Sequence, residues 1–290
     1  MNDHDVESAT QLLGSLSSIN EEVNNMNVLN KEYQQLEEQI QLLNDKWSQQ
    51  LEDEKLIDVE QVRALTQYPA LPQVQLSIDF QQYHRFIEEL LTLLEEKQSS
   101  LEADIKALKS SISTKILEQW HPEVLTVHQR YFQAFAEEHH VASWLPYFVA
   151  EHAIRPFLQR ATTEIREELK KTDVHGCCPA CGEAPRLAII NKKGRKEVTC
   201  PRCHYAWEVK KIKCAHCGSE EPGKLEILKV EKDDSAEVHV CHDCNGYTKV
   251  IDVRKMIKKD SIALLDIKSI HLDFIAQENG YGMPDDTKVN

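Results

Sequence analysis

The chain has 290 residues with 34 Lys and Arg against 48 Asp and Glu, a formal net charge of −14. That length allows two domains, and the acidity argues against a surface built to attract a polyanion. No apolar run approaches the roughly 20 residues that cross a bilayer, and the polar, acidic first residues do not resemble a signal peptide, so the sequence predicts a cytoplasmic protein.

The charge is uneven. Residues 1–171 hold 15 basic and 29 acidic side chains, a net of −14, whereas residues 172–290 hold 19 of each. Residues 1–28, rich in Asn, Ser and Glu, predict a frayed helix or a partly disordered segment. Lys31 to Leu51 predicts a helix, with Tyr33, Leu36, Ile40, Leu43 and Trp47 at three- and four-residue steps. Pro69 and Pro72 mark a loop. A long helix is predicted from Asp79, with a buried stripe of Phe80, Tyr83, Phe86, Ile87, Leu90, Leu91 and Leu94. It continues or restarts after Ser99-Ser100 through Leu101, Ile105, Leu108, Ile112, Ile116 and Trp120. Pro122 is read as opening another helix toward His139-His140. A last helix from about Leu145 to Lys171 contains Pro156, which should kink it. The first half is thus an all-helical domain. It shows no phosphate loop, nucleophile elbow or His-Glu-x-x-His helix. Its scattered histidines and acidic side chains read as core and solvated-face residues.

Asp173 to Gly176 reads as a hinge, and beyond it the chemistry changes. Eight of nine cysteines fall in four Cys-x-x-Cys pairs: Cys178 and Cys181, Cys200 and Cys203, Cys214 and Cys217, Cys241 and Cys244. Two cysteines three apart on a tight turn can aim both sulfurs at one ion. Two such turns complete a tetrahedral four-cysteine site suited to zinc or a single iron. The residues after the pairs are Gly182, His204, Gly218 and Asn245, types that enter the left-handed region most readily. A disulfide framework would need an oxidising compartment. Thiol–disulfide enzymes normally carry one such pair at a helix start, not four in a β-rich repeat. Cys177 reads as a free thiol beside the first pair or as a competitor of Cys178.

Around the pairs, a unit of knuckle, strand, turn, strand, knuckle, strand occurs twice. The strands are Arg186–Ile190, Lys196–Thr199 and a run from Tyr205 to Ile212, then Leu225–Val230, Ala236–Val240 and a run from Tyr247 to Val253. The second hairpin turns at Lys232 to Ser235. The repeat favours sequential pairing, with Cys178, Cys181, Cys200 and Cys203 in one site and Cys214, Cys217, Cys241 and Cys244 in the other. A crossed pairing is the alternative. Arg254 to Lys259 leads into a terminal helix from about Ser261 to Asn279, stopped by Gly280, with the residues after Tyr281 loose. The expected fold is α+β: an all-helical domain (1–172), two tandem rubredoxin-like or zinc-ribbon modules (173–212 and 213–255), and a C-terminal helix and tail (256–290).

These motifs together resemble the FdhE family of formate dehydrogenase accessory proteins, weakly in the helical half and firmly from about Cys178 to Tyr281. The resemblance lies in Cys178 to Pro185, in Cys200 and Cys203 with Trp207, in Cys214 and Cys217, and in Cys241 and Cys244 with Tyr247 and Lys249. It extends to the Asp266–Asp273 segment and to Gly280-Tyr281. Two departures stand out. Lys196 to Thr199 replaces a run often rich in aromatics, and Asp266 is single where a paired Asp is usual. The resemblance implies a non-enzymatic maturation factor or chaperone that binds the formate dehydrogenase catalytic subunit in the cytoplasm. It also implies rubredoxin-like sites linked with iron as well as zinc, and a partner surface that includes Trp207, Tyr247, Lys249, Asp266 and Asp273. The competing function is nucleic-acid binding by a basic first ribbon. That ribbon carries Lys192, Lys193, Arg195, Lys196, Arg202, Lys210, Lys211 and Lys213, with Tyr205 and Trp207 among them.

Overall fold

The computed structural model describes residues 33–230, 233–256 and 260–282. The expectations for residues 1–28, for the start of the first helix, for Lys232, Lys258 and Lys259 and for the tail beyond Gly282 lie outside those residues. The chain divides into two compact units, Met1–Ile40 and Gln41–Asn290. In the first, residues 33–40 are helical and Tyr33 is exposed rather than part of a buried stripe.

The second unit opens with helical residues 41–50 (α1) and a short helix α2 (Val59–Arg63). Helix α3 (Phe80–Lys97) starts where Asp79 accepts a hydrogen bond from the Gln81 N–H. Its predicted stripe is buried from Tyr83 to Leu94, while Phe80 at the first turn is half-buried. After a 3-10 turn comes α4 (Glu102–Ser111). The pattern predicted as continuous then breaks. Ile112 is extended, and Ser113 caps α5 (Thr114–Leu125) by accepting from the Ile116 N–H. Pro122 does not open a helix; it lies inside α5. The bond its missing N–H would make is to Glu118, which is exposed, so water can satisfy that carbonyl. Val127, at φ 58°, turns the chain into α6 (Gln129–His139). The central helix α7 (Leu145–Leu169) runs through Pro156.

Aromatic packing organises this body. Trp47 stacks on Phe86 at 4.8 Å, Phe86 meets Phe157 at 5.6 Å, and the Tyr83 hydroxyl donates to the Ala150 carbonyl at 3.0 Å. Trp120 meets Phe132 and Phe135 edge-on.

His152 of α7 is buried against Phe148, and its Nδ1 has no hydrogen-bond partner among the described residues. Burial, with Arg155 adding to it, holds its pKa well below the ordinary value of 6.5. The unfolded chain therefore binds a proton that the folded chain refuses. Stability contributed by neutral His152 is complete above pH ~6.5 and is lost as pH falls below it. We predict that His152→Phe flattens the dependence of the urea midpoint on pH between about 6.5 and 5. An unchanged slope would show that other groups carry it.

All six predicted strands form: β1 (Leu187–Ile190), β2 (Lys196–Thr199), β3 (Ala206–Glu208), β4 (Leu225–Val230), β5 (Asp233–Cys241) and β6 (Tyr247–Asp252). Each repeat is a three-stranded antiparallel meander. The two meanders are not separate sheets. β1 pairs in parallel with β6, Leu187 opposite Lys249 and Ile190 opposite Asp252, giving one six-stranded sheet ordered β3-β2-β1-β6-β5-β4. Both joining strands alternate apolar side chains to two faces, so pairing them buries both. One face packs Ala188, Ile190, Val198 and Val250 with Trp207 against it. The other packs Leu187, Val238, Val240 and Ile251 under Leu265, Leu272 and Ala276.

Those last residues belong to two helices, not the single one expected. Helix α8 (Ile262–Lys268) is capped by Ser261, and α9 (Ile270–Glu278) follows after a break at Ser269. The Ser269 hydroxyl donates to the Asp266 carbonyl at 3.1 Å, a local bond that competes with helix continuation.

Candidate metal centres

Four tight turns bring the cysteines together. In each, the N–H of the first cysteine donates to a carbonyl five residues on: Cys178 to Glu183, Cys200 to Tyr205, Cys214 to Ser219 and Cys241 to Gly246, at 2.7–3.0 Å. The residue after each second cysteine is left-handed, with φ of 84° at Gly182, 59° at His204, 75° at Gly218 and 55° at Asn245. That turn points both sulfurs of a pair the same way.

The sulfurs gather sequentially, Cys178, Cys181, Cys200 and Cys203 in one cluster and Cys214, Cys217, Cys241 and Cys244 in the other. Within each cluster all ligand atoms lie within 4.8 Å of one another. Cys178 to Cys203 and Cys181 to Cys200 are 3.5 Å apart; Cys214 to Cys244 and Cys217 to Cys241 are 3.8 and 3.7 Å. A tetrahedral ion with metal–sulfur bonds of about 2.3 Å sets its sulfurs about 3.8 Å apart, so both clusters fit one. Cys177 is half-buried and belongs to neither cluster.

The thiols' own electrostatics also suit a cation. At Cys181 burial opposes ionisation, but hydrogen bonds from Cys178, Cys200 and Cys203 and the charge of Arg202 pull the pKa well below the ordinary thiol value. Burial pushes the other three up. In the second cluster a hydrogen bond from Cys244 takes Cys214 down to about 4, and burial pushes Cys217 up to about 11. In each cluster one thiol, Cys181 or Cys214, is thus the most readily ionised of those shifted. A bound divalent ion lets the rest ionise and supplies a closed, rigid tetrahedral tie between two turns. Elemental analysis of protein purified under reducing conditions should therefore find about two ions per chain, zinc plus iron. One ion or none in a folded chain would contradict two four-cysteine sites.

The surroundings of the clusters differ. The first is buried at the junction with the helical body. Arg202, between Cys200 and Cys203, donates through Nε to both oxygens of Glu151 on α7 at 3.0 Å. Its other nitrogens donate to the carbonyls of Val124, Leu125 and Cys181. Burial alone would push the Arg202 pKa down, but Glu151 beside it holds it above its ordinary value. The N–H groups of Ala70 and Leu71 donate to the carbonyls of Pro179 and Ala180 at 2.9 and 2.8 Å. Sequence reasoning counted Arg202 only as a basic ribbon residue. Its place inside a knuckle was the available signal, because the middle of such a turn sits over whatever the turn packs on.

The second cluster is more open, with Cys217 exposed and Cys244 half-buried. His216 is buried beside Gly246 and its Nε2 lies 2.8 Å from the Tyr247 carbonyl. A cavity of about 740 Å³ reaches Cys214 and is lined by His175, Lys213, Tyr205 and Trp207. Trp207 stacks on Tyr205 at 5.9 Å.

The remaining residues expected at a partner surface form an internal network. Lys249, only 2% exposed, places Nζ 2.7 Å from Asp266 and 2.9 Å from Asp273. The Tyr247 hydroxyl donates to Asp273 at 2.8 Å, and Arg186 donates to Asp266 at 3.0 Å. The basic set of the first ribbon is dispersed. Lys196 and Arg202 are buried, while Arg195 pairs with Glu208 and Lys210 with Glu220. Among the described residues no helix is long and apolar enough to cross a membrane.

Residues 212–285 match the family model for the FdhE C-terminal domain. The Protein FdhE homolog of Aquifex aeolicus is 35% identical over 111 residues, 36% of this chain and 38% of that protein. Protein FdhE of Escherichia coli O127:H6 is 30% identical over 108 residues, 36% of this chain and 34% of its own. The matched stretch thus spans little more than a third of these relatives. The crystal structure of the FdhE protein from Pseudomonas aeruginosa superposes with a TM-score of 0.59 at 20% identity, covering 87% of this chain and 91% of that one. At that identity the likeness concerns the fold. Over residues 212–285 the chain is thus similar to the FdhE C-terminal domain, and its α+β fold with two four-cysteine clusters is similar to that of a solved FdhE protein.

Proposed function

We propose that this protein is a formate dehydrogenase accessory factor that binds the catalytic subunit in the cytoplasm during assembly and does no chemistry on it. The observation that carries the reading is the FdhE C-terminal match over residues 212–285, the segment that holds the second cluster and seats α8 and α9 on the sheet. The molecule is suited to the task. Metal ions held by Cys178, Cys181, Cys200 and Cys203 and by Cys214, Cys217, Cys241 and Cys244 would stiffen the sheet, and a stiff surface binds at lower ordering cost. The dispersed basic residues and the acidic helical half favour a protein partner over nucleic acid. Tagged protein drawn from native cytoplasm should enrich the formate dehydrogenase catalytic subunit. Its absence, with the chain folded and metal-loaded, overturns the reading.

We infer that the partner grips the ribbon module on both faces of the sheet, at Trp207 on one and at α8 and α9 on the other. Tyr247 and Lys249 would act there by holding the helices, and Asp266 and Asp273 through their outer edges. The double substitution Asp266→Ala with Asp273→Ala leaves Lys249 buried without a counter-charge, which costs about 3 kcal/mol or more. Partner capture should fall under conditions where the variant is still folded and metal-loaded, and capture lost only together with folding counts against a binding role. Capture that survives a fall in melting temperature would assign the pair to the scaffold alone.

A further inference from the structure

The two clusters are built into the molecule differently, and the difference bears on what each ion can do. To release a tetrahedral ion, a knuckle must swing its sulfurs away. In the first cluster all four cysteines are buried, and the turn between Cys200 and Cys203 is bolted to α7 and α5 through Arg202. Moving it would take from Glu151 its closer cation and from three carbonyls an Arg202 donor. The opposite turn is tied by the bonds from Ala70 and Leu71, and a Cβ at Gly182 would come within 3.0 Å of Pro69.

The second cluster has Cys217 exposed and Cys244 half-buried. Its last knuckle is tied to the chain before β4, where the His242 N–H donates to the Lys224 carbonyl at 2.9 Å and Lys224 pairs with Asp243, and to the end of α9. Gly280, at φ 82°, closes the helix: its N–H donates to the Gln277 carbonyl and that of Tyr281 to the Ala276 carbonyl. This reversal carries the chain back over the knuckle. The Gly282 N–H donates to the Asn245 carbonyl at 3.0 Å. The Tyr281 hydroxyl lies 3.0 Å from Nδ1 of His242, between Cys241 and Cys244. His242 is steadied on its other side by Glu226, 3.2 Å from Nε2. The segment from Gly280 to Gly282 is therefore a strap over a knuckle whose residues His242, Asp243 and Asn245 are exposed.

We propose that the second cluster is an exchangeable site for a soft divalent metal ion while the first stays loaded, and that Tyr281 is a positioning residue that sets the exchange rate by holding His242. The inference rests on both clusters holding metal.

The test is zinc release from the fully loaded, full-length chain into excess chromogenic chelator at neutral pH, after the starting zinc content is measured. Release should be biphasic, one ion fast and one slow. Cys217→Ser should remove the fast phase alone. Tyr281→Phe keeps the ring and deletes the bond to His242. It should speed the fast phase about fivefold, the factor a single net hydrogen bond gives, and leave the slow phase unchanged. Tyr281→Ala should speed it further or yield a chain that retains one ion. Fewer than two ions at the start would overturn the metal reading itself. Two ions leaving at one rate would overturn the asymmetry. A fast phase that persists in Cys217→Ser would assign exchange to the first cluster. Fast release unchanged in both Tyr281 variants would remove the strap's role.

Discussion

Replacing Arg202 by Met should lower the unfolding free energy of the metal-loaded chain by about 3–5 kcal/mol, the usual cost of removing one partner from a buried ion pair. The guanidinium is almost fully buried and faces a carboxylate on Glu151 that is also buried. Without it, Glu151 keeps only Arg155, at 3.3 Å on a neighbouring turn. Methionine fills the volume but removes the Arg202 donor from the carbonyls of Leu125 and Cys181, and from that of Val124, which keeps the Val127 N–H. Adding Glu151→Gln should recover about half the loss, because it removes the stranded charge but not the unpaired carbonyls. Urea unfolding followed by tryptophan fluorescence and by metal release would check both. A single-mutant loss under about 1 kcal/mol would mean that water enters the junction and that Arg202 is not a bolt.

Cys200→Ser should be the more drastic change. Structural zinc contributes about 10–16 kcal/mol to the folding of small ribbons, comparable with the entire stability of a typical domain. Losing one ligand of the first cluster should release its ion and unfold β1–β3. Because β1 is the parallel neighbour of β6, the second meander then gains an exposed edge and should lose amide protection along β6. Cys241→Ser should instead spare β2 and β3, which lie on the far side of β1. In both variants the helical far-UV signal should persist, since the aromatic core around Trp47, Phe86, Phe157 and Trp120 contains no part of the sheet. Hydrogen exchange resolved by strand, with metal content measured alongside, separates these outcomes. Collapse of the helical signal in Cys200→Ser would mean that the helical body cannot stand without the first cluster.

The amino-acid sequence by itself determined the local elements and the metal chemistry. Four cysteine pairs, each followed by a residue at ease in the left-handed region, specify four knuckles. The alternation of apolar side chains specifies the six strands between and after them. Both are short-range properties, set by spacing and backbone sterics within a few residues. The helical half was legible in the same way wherever an apolar stripe ran uninterrupted, as from Tyr83 to Leu94. It misled at Pro122 and Ile112, where the chain's surroundings decide whether a helix continues.

Tertiary structure decided the rest. The parallel pairing of β1 with β6 joins residues some sixty positions apart, and periodicity carries no information about which buried strand meets which. Arg202 and Lys249 look in the sequence like ordinary surface cations beside a thiolate site. In the fold each is buried and matched to carboxylates from distant helices, Glu151 for one and Asp266 and Asp273 for the other. A buried charge is tolerable only with such partners, and partners brought together across the chain cannot be read from local pattern. The unequal exposure of the two clusters has the same origin: every pair has the same Cys-x-x-Cys spacing, and it is their neighbours in space that bury one cluster and leave the other partly open.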